Sequence, residues 1–92
     1  MKMVSIMKFD NVLIHKQISL TTRDFKYKTE CFEAKISSKT FDKDDIDIFI
    51  IELLNYYLIF SCFQELKSFT TIDFTEILAD INSKIIQLKK YV

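Results

Sequence analysis

The chain has 92 residues, 49% apolar and 28% charged, with 13 basic side chains against 13 acidic ones and a net charge of zero. That is one domain near the lower size limit for a core without metal or disulfide support, and no global field draws it toward nucleic acid or an anionic membrane. Glycine and proline are both absent, which excludes phosphate loops and dinucleotide fingerprints and leaves any turn with positive φ to Asn or Asp.

The wider composition is biased in one direction. Phe, Tyr, Met, Ile, Asn and Lys far outnumber Gly, Ala, Arg and Pro, the signature of a very AT-rich genome such as that of a phage, a plasmid or a large virus. The N-terminal MKMVSIMKFD is too short for a signal peptide, and the expected location is cytoplasmic, in a bacterium or an infected host cell. Cys31 and Cys62 make no C-x-x-C pair and are expected to be buried, reduced thiols.

The N-terminal half, residues 2–39, alternates as strands do. Met3, Met7 and Phe9 share one parity, and Asp10-Asn11 supplies a two-residue turn. A second turn at Thr21-Thr22-Arg23-Asp24 places Leu20 opposite Phe25 and Ile18 opposite Tyr27, so both turns present the same apolar face. The expected structure is a three-stranded antiparallel meander. Beyond Cys31 the apolar parity flips to Phe32, Ala34 and Ile36, which a bulge at 31–32 would restore.

The C-terminal half reads as two antiparallel helices, about 42–67 and 73–91, packed on one face of that meander. Asp42, Asp44, Asp45 and Asp47 crowd the start of the first, where the helix dipole favours anions. Ile46, Ile50, Leu53, Tyr57 and Phe60 form its seam at 4-3-4-3 spacing. In the second helix Asp73 is the expected cap, Ile72 and Ile77 the staple, and Phe74, Leu78, Ile81, Ile85, Leu88 and Val92 the apolar stripe. The fold class is therefore α+β, in one domain spanning 1–92.

Residues 46–63, IDIFIIELLNYYLIFSCF, carry apolar side chains on every side of a helix. Such a helix must be covered all round, and a chain this short has little to cover it with. Ile48, Ile51, Tyr56, Ile59 and Phe63 are the residues expected to remain for a partner, which points to a non-enzymatic protein-binding module, a homodimer first and a complex with another protein second. Occlusion or bridging of another protein fits an accessory product such as a counter-defence inhibitor, an antitoxin or an immunity protein.

Other readings are weaker. A membrane span over 46–63 must absorb Asp47 and Glu52, each costing about 2.5–3.5 kcal/mol near the bilayer centre. Arg23, Lys26 and Lys28 would make a basic strip on the outward face of the third strand, yet no aromatic platform interleaves with it for nucleic acid. Lys16 falls in the middle of the apolar face in this register, where a buried lysine needs partners or a function. His15, the single histidine, has no companion ligands or nucleophile, so neither metal, cofactor nor catalysis is expected.

Overall fold

A computed structural model describes residues 2–66 and 72–91, with side chains from residue 12 onward. Three helices follow one another: α1 (Lys2–Ser37), α2 (Lys43–Glu65) and α3 (Thr75–Leu88), the last running into a 3₁₀ turn at Lys89–Tyr91. Among the described residues there is no strand. The expected α+β class is overturned, because the whole proposed meander is one helix of 36 residues.

The reason lies in what the two supposed turns lack. Asp, Asn and Thr favour turns by offering their side chains to nearby backbone groups, but without glycine or proline nothing forces the helix to stop. At the second site the Thr22 hydroxyl donates to the Ile18 carbonyl at 2.8 Å, so the competing group is bonded to the helix itself. The apparent parity flip at 31–32 is helical drift: Phe32 packs inward while Cys31 is exposed. Ile14, Ile18, Phe25, Phe32 and Ile36 form the inward row, spaced by four or seven residues as one face of a helix requires. The faces expected for Met3, Met7 and Phe9, the helix end at Lys67 and the stripe position Val92 lie outside the described residues.

Each helix end has a physical cause. α1 closes with the Thr40 amide bonding the Lys35 carbonyl at 3.3 Å and the Lys39 amide bonding that of Ile36 at 3.0 Å, a Schellman motif. Its left-handed residue, usually glycine, is Lys39 at φ 57°. α2 opens with a reciprocal capping box, in which Asp42 Oδ1 accepts from the Asp45 amide at 2.9 Å and Asp45 Oδ2 from the Asp42 amide at 3.0 Å. At α3 the N-cap position is Phe74, one residue later than the expected Asp73. Asp73 still serves the helix start by accepting from the Thr75 amide at 3.0 Å, and Gln64 Oε1 accepts from the Phe74 amide at 2.8 Å.

The helices run up, down and up. Lys35 pairs with Asp45 at 2.9 Å, Lys28 with Glu52 at 3.6 Å, and Asp24 accepts from the Tyr56 hydroxyl at 3.3 Å, so α2 descends along α1. α3 returns beside both, tied to α1 by Lys84 and Glu33 at 2.7 Å. The centre is aromatic. Phe60, fully buried, meets Phe25 edge-on at 5.6 Å, Phe74 at 5.7 Å and Phe63 at 6.0 Å between ring centroids, while Phe32 stacks on Phe49 at 4.5 Å. Such ring pairs add about 0.5–1.5 kcal/mol each beyond the area they bury.

Because α1 is a helix rather than a sheet, α2 is clasped along two flanks. Its buried row is Ile46, Phe49, Leu53, Tyr56, Phe60 and Phe63; Ile50 and Tyr57, expected in the seam, are only partly covered or exposed. The body measures 56 × 18 × 17 Å. At 1.5 Å per residue α1 is about 54 Å long and α2 about 34 Å, so roughly a third of α1, its N-terminal part, reaches past the far end of α2.

Candidate interaction face on the second helix

Two-helix clasping leaves the far side of α2 bare. Ile48, Ile51, Leu54, Leu58 and Ile59 are all exposed there, Ile51 at 56% and Leu58 at 64%, and Tyr57 is exposed at 38%. Read along the axis, Ile48, Ile51, Asn55, Leu58 and Cys62 are spaced 3-4-3-4, the period of a helix-pairing seam. Only a third of the most apolar stretch of α2 is buried. Acidic groups bound the seam lengthwise, Asp44 and Asp47 at the N-terminal end and Glu65 at the other.

Along the α1 edge the face ends in a small polar network. Asp24 and Glu52 flank the Lys28 ammonium at 4.0 and 3.6 Å, and that ammonium also sits over the Tyr56 ring, 5.7 Å from its centroid. The Lys28 pKa is raised above 10.5, first by its hydrogen bond to Tyr56 and then by the nearby negative charges. Burial pushes the Tyr56 hydroxyl above its ordinary 10.0. Lys28 and Tyr56 therefore hold their neutral-pH protonation states more firmly than free side chains.

The residues singled out from sequence divide sharply. Ile48, Ile51 and Ile59 share the outward face; Tyr56 and Phe63, each 6% exposed, belong to the core instead. The error came from placing a sheet beside α2: with α1 a helix instead, Tyr56 and Phe63 turn toward the aromatic cluster that includes Phe25 and Phe74. Leu54 and Leu58 were the outward residues missed, although their place in the apolar circle was visible once the covered side was known.

Lys16 is exposed on α1, not buried in an apolar sheet face, since that face does not exist. Arg23 and Lys26 are exposed on α1, while Lys28 lies on the flank toward α2 and is engaged by Glu52. The three basic positions are thus split around a helix, Arg23 and Lys26 three residues apart on one side and Lys28 on another. Cys31 and Cys62 are exposed rather than buried, and His15 is exposed. Among the described residues no group of three His, Cys, Asp or Glu side chains could hold a metal ion. A cleft of about 570 Å³ lies between Ile36, Phe49, Leu88 and Tyr91, and the Glu33 and Lys84 charges on its wall satisfy each other.

Compared with known proteins, the chain matches no family model, no curated relative and no solved structure.

Proposed function

We propose that this protein is a non-enzymatic interaction module that works by docking the outward face of α2 onto another protein surface, in the first instance its own second copy. The observation that carries this reading is the continuous exposed row of Ile48, Ile51, Leu54, Leu58 and Ile59. A contiguous apolar patch of this kind on a small soluble body usually marks an interface. Occlusion or bridging of a further protein, as an inhibitor, antitoxin or immunity protein would do, is the role such a module suits.

The test is the mass in solution by light scattering, for wild type and for Ile51→Glu and Leu58→Glu. Both substitutions sit on exposed positions, so helix content by circular dichroism should be unchanged while the wild-type oligomer falls to monomer. A wild type that is monomeric up to high micromolar concentration and co-purifies with nothing from its host would refute the proposal.

A second reading is favoured by one observation: α2 is long and apolar enough to cross a membrane, by length and composition only. Its carboxylates weigh against insertion. Flotation with lipid vesicles separates this reading from the first.

A further inference from the structure

We propose that the occupant of the α2 face is a second copy of the chain with its α2 antiparallel, the Asn55 amides meeting at the two-fold axis. This deepens the proposed function and rests on it.

Three features argue for a second copy in this orientation. First, Asn55 is the polar residue in the middle of an otherwise apolar seam. Covered by an apolar surface it would lose hydrogen bonds to water without replacement. Opposite its own copy each amide can donate to the other's carbonyl, which replaces those lost bonds. Second, reversed about residue 55 the seam comes within one residue of mapping onto itself. Ile48 then falls level with Cys62 of the second copy, and Ile51 within one residue of Leu58, so a large residue meets a small one at each end and apolar groups meet between, with Glu52 level with Leu58 at the margin.

Third, the charges select the orientation. A parallel pairing would set Asp42, Asp44 and Asp47 of one copy beside the same residues of the other. In the antiparallel pairing the two Asp44 carboxylates lie roughly 33 Å apart along the axis, several screening lengths at physiological salt. The acidic end then meets a helix end that carries Glu65 alone, and the helix dipoles oppose favourably. A standard interface takes at least about 600 Å² from each partner, and Ile48, Ile51, Leu54, Leu58 and Ile59 are the exposed apolar side chains that would supply it.

The experiment is cysteine cross-linking with the native Cys62, in a Cys31→Ser background, using diamide as oxidant. Ile48→Cys in that background should convert most of the protein to a covalent dimer on a non-reducing gel. The Cys31→Ser protein alone should stay uncrosslinked, because its two Cys62 thiols sit roughly 21 Å apart along the axis. Light scattering on the same samples should give a dimer in both. Asn55→Asp, which places two carboxylates together at the axis, should raise the dimer dissociation constant at least tenfold, whereas Asn55→Leu should keep the dimer. A Cys62–Cys62 cross-link in the Cys31→Ser protein means parallel helices and overturns the orientation. A dimer mass with no cross-link in either protein moves the interface to another face. A monomer mass throughout overturns the proposed function itself, and a monomer that floats with vesicles gives the face to lipid.

Discussion

Thr29 is the residue that the helical bundle serves worst. It is 8% exposed, and its hydroxyl has no hydrogen-bond partner among the described residues, so the fold carries the desolvation of that oxygen uncompensated. Thr29→Val, which keeps the branched shape and deletes the hydroxyl, should stabilise the protein by about 1 kcal/mol. In a domain of this size that is a melting temperature higher by about 4–8 °C. Lys39 presents the complementary case on the backbone. It holds the left-handed position that closes α1 at φ 57°, where a Cβ costs about 1–2 kcal/mol. Lys39→Gly removes that strain but adds freedom to the unfolded chain, so the net gain should be about 0.5–1 kcal/mol by chemical denaturation. A loss of stability would show that the Lys39 side chain contributes something the backbone geometry does not explain.

At the scale of elements, the capping box of α2 ties the loop to the helix. Asp42→Ala removes one half of it and should cost about 1 kcal/mol, measurable as a lower denaturation midpoint with an unchanged slope. The same scale shows where sequence reasoning succeeded and where it failed. The apolar rows of the two C-terminal helices are dense enough that only a 3.6-residue period accounts for them, and Asp42 through Asp47 mark a helix start in plain view. The first 37 residues hold a sparser row, Ile14, Ile18, Phe25, Phe32 and Ile36, interrupted by Thr29 and overlaid with other apolar residues whose parity imitates strands. A helix of that length is stabilised through tertiary contacts with Phe49, Tyr56, Phe60 and Phe74 more than through local propensity, and such contacts are not written in local spacing. The candidate face suffered from the same gap. That α2 has surplus apolar surface followed from its own residues, but which residues stay outside depended on where α1 lies, and a sheet in its place covered the wrong flank.

For the whole molecule, three groups bind their protons more tightly in the fold than outside it, and all bear on the alkaline side. Lys84 is raised above 10.5, chiefly by its hydrogen bond to Glu33, Lys28 is raised chiefly by its bond to Tyr56, and burial raises Tyr56 above 10.0. The folded state keeps these protons where the unfolded chain releases them, so their contribution is complete below pH 10 and disappears as pH rises through the folded values. Asp45 acts in the opposite sense. Its pKa lies below 3.8, first because the Lys35 ammonium donates to it and then because of the Asp42 amide, so its contribution is present above pH 3.8 and is lost on further acidification. Melting temperatures should therefore fall above pH 10 and below pH 4, and Lys84→Met should flatten part of the alkaline decline. The ion pairs involved are all partly open to solvent, so each of their effects should be small.

The overhanging third of α1 doubles as a ruler. Paired copies lying side by side in the same direction would project both overhangs from one end, and X-ray scattering would report a largest dimension near that of a single copy, 56 Å. Reversed copies project them from opposite ends, lengthening the particle by about 20 Å of helix, whereas end-to-end stacking would come close to doubling it.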